Sequence, residues 1–132
     1  MAVQLNHTIV AASDSRASAR FLAEILGLPD PKPYGPFLVV EMANGVSLDF
    51  MAADDIRPQH YAFLISEEEF DEIFGRIQER NIPYWADPMH SEPDEINHWD
   101  GGRGVYFPDP DDHNLEILTR PYGSGTSSGS SG

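Results

Sequence analysis

The sequence states one pattern twice. His7-Thr-Ile-Val-Ala-Ala-Ser13 opens on a histidine and runs through an apolar stretch to a serine, and His60-Tyr-Ala-Phe-Leu-Ile-Ser66 repeats this at identical spacing. Each segment predicts a strand running into a helix N-terminus. In the second copy Ser66 and Glu69 stand at capping-box spacing, and Glu67, Glu68 and Glu69 suit the positive end of the helix dipole. The apolar spacing predicts a first helix over Ser15–Leu26, burying Phe21, Leu22, Ile25 and Leu26, with Gly27 as terminator. It predicts a second over Glu67–Arg80, burying Phe70, Ile73, Phe74 and Ile77, stopped by Asn81 and Pro83.

Extended segments follow each helix. After the first come Phe37–Met42 and Val46–Met51, joined by the hairpin signal Ala43-Asn44-Gly45. After the second come Pro83–Ala86, Gly104–Phe107 and Asn114–Thr119, the last two separated by the turn Pro108–His113. The closing strands also match. Val46-Ser-Leu-Asp49-Phe-Met51 resembles His113-Asn-Leu-Glu116-Ile-Leu118, a carboxylate alternating with apolar neighbours. Each half is therefore a strand, a helix and further strands, which predicts an α+β domain of two repeated modules, about residues 4–55 and 56–120. Residues 123–132 are almost entirely Gly and Ser, so the domain is expected to end near Tyr122 and be followed by a flexible tail.

The repeat gives meaning to residues that carry little alone. A single histidine at a strand start is ordinarily a structural hydrogen-bonding residue, and a single in-strand acid usually faces solvent. Period-two geometry puts Asp49 on one face with Ser47 and Met51, and Glu116 on one face with Asn114 and Leu118. Leu48, Phe50, Leu115 and Ile117 take the opposite face, toward the helices. If the modules pair about a pseudo-twofold axis, His7 and His60 become equivalent, as do Asp49 and Glu116. Two imidazoles with one or two carboxylates suit a divalent ion such as Fe, Mn, Ni, Zn or Co.

Composition removes other chemistries. At 132 residues the chain fits one domain, and 40% apolar content is that of ordinary globular proteins. There is no cysteine, hence no disulfide, thiolate ligand or cysteine nucleophile. No apolar run reaches a membrane span, and Met1 to His7 lacks the look of a signal peptide, so the expected location is the cytoplasm. A net charge of −14 repels nucleic acid. It serves either solubility or the attraction of a cationic ligand or metal ion. The acidic turn at Asp109 fails as an EF-hand loop, because its sixth and twelfth positions are Asn114 and Arg120. Neither a P-loop nor a G-x-S-x-G elbow is present.

Over roughly residues 4 to 120 the chain resembles the vicinal oxygen chelate superfamily, the group of glyoxalase I, extradiol dioxygenases, and fosfomycin- and bleomycin-resistance proteins. The most specific stretch is Gly104-Val-Tyr-Phe-Pro-Asp-Pro-Asp-Asp-His-Asn-Leu-Glu-Ile-Leu118; Leu5-Asn6-His7-Thr8 and Arg20-Phe-Leu-Ala-Glu-Ile-Leu-Gly-Leu28 also carry the resemblance. It implies paired βαβββ modules, curved mixed sheets enclosing a metal cavity, and commonly a homodimer. It implies His7, His60 and Glu116 as metal ligands. Asp49 falls where glyoxalase I-like members carry a fourth, a glutamate; aspartate is one methylene shorter.

The resemblance implies a divalent-metal enzyme of glyoxalase or dioxygenase type, a lyase, isomerase or oxidoreductase. It would chelate adjacent oxygens of a small substrate and stabilise an enolate or oxyanion. Glu116 then has a catalytic place, with Tyr106 as a hydrogen-bond donor. The polar segment from Met89 to Arg103 is the expected lid, contributing His98 to catalysis and Trp99 and Arg103 to the substrate pocket. The alternative is a bleomycin-resistance-like protein that binds a cationic small molecule in an acidic groove without catalysis. The −14 charge suits that reading, and His7, His60 and Glu116 argue against it.

Overall fold

The computed structural model describes residues 2–125. Its described residues divide into two compact units, one of residues 2–57 with 109–111 and the other of residues 58–108 with 112–125. The first contains β1 (His7–Ala12), α1 (Ser15–Leu26), β2 (Lys32–Tyr34), β3 (Phe37–Glu41) and β4 (Ser47–Ala52). The second contains β5 (His60–Leu64), α2 (Glu67–Glu79), β6 (Gly104–Pro108) and β7 (Asn114–Leu118). The fold is the α+β arrangement that the repeat predicts.

In the first unit the sheet order is β1-β4-β3-β2, with β1 parallel to β4 and the other pairs antiparallel. α1 starts where Asp14 accepts a hydrogen bond from the Ala17 amide, and ends at Gly27 in the left-handed region (φ 70°). Its buried face is Ser18, Ala19, Leu22, Ala23 and Ile25, while Phe21 and Leu26 are half-buried. Val10, Ala12, Val40, Leu48 and Phe50 complete this core. Burying a side chain such as Leu22 or Ile25 stabilises the fold by roughly 1.5–3 kcal/mol. Strand β4 begins one residue later than the spacing predicts. The hairpin takes Val46 for itself: its carbonyl accepts from the Met42 amide and its amide donates to the Asn44 side chain.

In the second unit the order is β5-β7-β6, with β5 parallel to β7 and β6 antiparallel to it. α2 carries the predicted capping box, Ser66 Oγ accepting from the Glu69 amide while the Glu69 carboxylate accepts from the Ser66 amide. Phe70, Ile73 and Ile77 are buried, as are Val105, Phe107, Leu115 and Ile117 on the strands. Pro83–Ala86 does not form the predicted strand. Only Trp85 pairs with Tyr106, because the Ala86 amide donates to the Glu92 carbonyl and the Asp94 amide to the Tyr84 carbonyl. A loop thus takes the backbone groups that a fourth strand would use. It is held by Asp87, which accepts from the Ser91 amide, the Ser91 hydroxyl and the Glu92 amide. Those bonds, the Ser91 hydroxyl first, hold the Asp87 carboxyl below its ordinary range.

Among the described residues no helix is long and apolar enough to cross a membrane. The described part of the predicted tail, Gly123 to Gly125, is hydrogen-bonded to Asp100, and the remainder, 126–132, lies outside the described residues.

Candidate metal centre

Register brings the second unit's chemistry together. His60 stands opposite Asn114, and Glu116 stands between Ala62 on one side and Tyr106 on the other. Paired residues share a face of a sheet, so His60, Asn114, Glu116 and Tyr106 all point away from the apolar parity. The glutamate arm then spans the diagonal to the histidine. His60 Nε2 lies 3.0 Å from Glu116 Oε1.

His60 Nδ1 lies 2.9 Å from the main-chain oxygen of Asn114. A carbonyl only accepts, so Nδ1 carries the proton and a neutral ring presents its lone pair at Nε2. That lone pair points at a carboxylate oxygen, acceptor against acceptor. Such a pair is completed by a proton shared between the two groups or by a cation held by both. Glu116 is fully buried whereas the His60 side chain is about half exposed, so the pair is open from the imidazole side. The donor set and its fixed tautomer fit a borderline divalent ion.

The other carboxylate oxygen, Glu116 Oε2, accepts a short hydrogen bond from the Tyr122 hydroxyl. Tyr106 Oη lies 2.8 Å from Tyr122 Oη; because Tyr122 gives its one proton to Glu116, Tyr106 is the donor in that pair. Burial, then the Glu116 hydrogen bond, pushes the Tyr122 hydroxyl up to about 12, and burial also raises that of Tyr106. Both phenols stay protonated at neutral pH. Tyr106 further stacks on His60, with ring centroids 5.7 Å apart.

Three of these residues are absent from the site predicted on sequence. Tyr122 sits at the expected domain boundary, and nothing in its spacing points back to Glu116. His90 belongs to the same polar segment as His98. It stacks on Trp85 at 3.9 Å with near-parallel rings, and its Nε2 lies 2.9 Å from the Asn114 side-chain oxygen. Asn114 thus fixes His60 through its main chain and His90 through its side chain.

The remaining predicted residues are distributed as follows. Trp99 lies over the two tyrosines, its ring 6.2 Å from Tyr106 and 6.3 Å from Tyr122. His98 is exposed at the start of the short 3₁₀ turn Trp99–Gly101. Arg103 is committed elsewhere: it donates to Glu67 and Asp71 at 2.8 Å each and covers the Phe70 ring. In the first unit, His7 is exposed with Nδ1 2.7 Å from Asn6 Oδ1. Asp49, nearly buried, accepts from Ser47 Oγ at 2.8 Å. Among the described residues no three His, Asp or Glu side chains cluster closely enough to hold an ion.

No family model matches the chain. Two solved structures, "Oxidase ChaP-H1" and "Oxidase ChaP-H2", are each 68% identical to it, with TM-scores of 0.91 and 0.92. The matches cover 92% and 95% of this chain and 99% of each of the others. The glutathione transferase FosA of Serratia marcescens is 27% identical over 124 residues, 89% of this chain and 81% of that protein. With its two-module fold, its His60–Glu116 pair and these relatives, the chain belongs to the vicinal oxygen chelate superfamily.

Proposed function

We propose that the chain is a divalent-metal-dependent oxidase acting on a small molecule that offers two adjacent oxygen donors. One observation carries the reading: His60 Nε2 stands 3.0 Å from an oxygen of the buried Glu116 while Nδ1 is turned to the Asn114 carbonyl. Two oxidases at 68% identity support the reaction class.

In this reading His60 and Glu116 are two of the metal's ligands. The bound ion supplies Lewis acidity toward substrate oxygens. The protein's part is positioning. The Asn114 carbonyl holds the imidazole, Tyr122 holds the carboxylate, and the Tyr106 proton is directed at Tyr122 rather than released to solvent. Trp99, half exposed beside both tyrosines, walls the site and limits water. A transferase acting on an anionic substrate is the weaker reading, since Arg103 is already neutralised by Glu67 and Asp71.

The test is metal stoichiometry after anaerobic reconstitution with Fe(II) or Mn(II), followed by oxygen uptake with candidate catechol- or hydroxyketone-type substrates. Wild type should retain one ion per chain and His60→Ala should retain none. A wild type that binds no metal overturns the reading. Metal-replete protein that consumes no oxygen but consumes a thiol overturns the oxidase assignment alone.

A further inference from the structure

A carboxylate that ligates a metal works best when its free oxygen is tied down, because the terminal torsion of glutamate is broad and roughly two-fold. In the second unit that tie comes from Tyr122, the donor to Glu116 Oε2. Tyr122 is 59% exposed, so burial alone does not hold it. Its place is fixed by what surrounds it in the chain.

That surrounding is a built latch. The Gly123 and Gly125 amides donate to the two oxygens of Asp100, each at 3.1 Å. Ser124 closes the turn on the Pro121 carbonyl through its amide and its hydroxyl, and Arg120 donates to the Ser124 carbonyl at 3.0 Å. Asp100 itself sits in the left-handed region at φ 58°, a conformation that aspartate adopts more readily than most residues. Gly123 has φ 78°, and a Cβ on Gly125 would lie 2.6 Å from Asp100 Cα. Both glycines are therefore demanded by the latch, although the composition around them reads as a linker.

We propose that residues 121–125 are a strap that positions Glu116 for metal binding, with Tyr122 as the positioning residue and Asp100 as its latch. The proposal rests on the metal reading of His60 and Glu116. It makes the strap and the ion mutually dependent: a seated Tyr122 favours the ligating orientation of Glu116, and a bound ion favours the seated strap.

Co(II) titration, followed by its visible absorption, reads this without turnover. Tyr122→Phe keeps the ring and removes only the proton; it should weaken Co(II) binding by about 10- to 100-fold. Asp100→Ala and Gly125→Ala lie outside the ligand set and should weaken it in the same direction by a smaller factor. Either one added to Tyr122→Phe should change nothing more, because the latch acts through that hydroxyl. Amide exchange over residues 122–125 in metal-free protein should be slow in wild type and fast in both latch variants. Tyr122→Phe that binds Co(II) within twofold of wild type overturns the strap while leaving the metal reading intact. So do latch variants that cost the same factor with and without the tyrosine. A wild type that takes up no Co(II) overturns the metal reading and the strap's purpose with it.

Discussion

In the first unit a histidine opens β1 opposite Ser47, and an aspartate stands two residues along β4. In the second, His60 opens β5 opposite Asn114, and Glu116 stands two residues along β7. The registers are the same and the outcomes differ. Asp49 turns back along its own strand to Ser47, and His7 to the adjacent Asn6. Glu116 meets His60, because Asn114 is engaged by His90 and the Pro88 carbonyl and because glutamate is one methylene longer. The neighbour across the strand matters as well. Ile9 stands beside Asp49, whereas Ala62 leaves space beside Glu116. A repeated backbone therefore fixes where ligand-type residues stand, and side-chain length and the residue two positions earlier decide what they touch.

The largest expected effect tests that asymmetry directly. Glu116→Ala should abolish detectable metal binding by equilibrium dialysis, while Asp49→Ala should leave a measurable affinity. Equal losses would mean that the first unit's acid is as much a ligand as the second's. A smaller effect is expected from giving the second unit the first unit's neighbour. Ala62→Ile sits on an exposed position, so the melting temperature should stay within about 2 °C. The added bulk beside Glu116 should still weaken metal binding; an unchanged affinity would remove strand-neighbour crowding from the comparison.

The smallest effect concerns the loop that only the second unit has. The Asp87 carboxyl is held below its ordinary range in the folded state, chiefly by Ser91. Its contribution to stability is thus present above the unfolded-state value and lost as pH falls through the depressed folded one. Ser91→Ala raises that folded value. The acid limb of a pH–stability curve, which starts at the unfolded-state value in both proteins, should then be shallower in the variant, with the neutral-pH melting point lowered slightly. Superimposable acid limbs would show that the loop is held by something other than this carboxylate.

Most of the architecture was legible because it rests on periodicity and local chemistry. Helix α1 begins and ends where its spacing and Gly27 predict, and Ser66 and Glu69 close the expected box. The edge strand Lys32–Tyr34 was not legible: three exposed residues carry no alternation. Trp85 was legible as extended but not as a single bridging residue, since the competing partners at Glu92 and Asp94 are set by the loop's path. Within the candidate site, His60 and Glu116 lie on paired strands as the repeat predicts, because both are placed by strand period. Tyr122 and His90 were not, because each reaches the site through a turn rather than a strand. Residues placed by period can be read from sequence; residues placed by loop closure cannot.

The hairpin between β6 and β7 also constrains how such a chain can change length. Its turn holds Asp112 at φ 66° and pairs Pro108 with Asn114, so Tyr106 falls opposite Glu116. A one-residue insertion within β7 ahead of Glu116 would rotate the carboxylate into the apolar layer, and one within β6 would turn Tyr106 away from it. Viable length variation in descendants of this sequence should therefore collect outside these two strands and their turn. The Asp87–Arg103 segment is where it should accumulate, leaving Gly104–Leu118 as a block of fixed length.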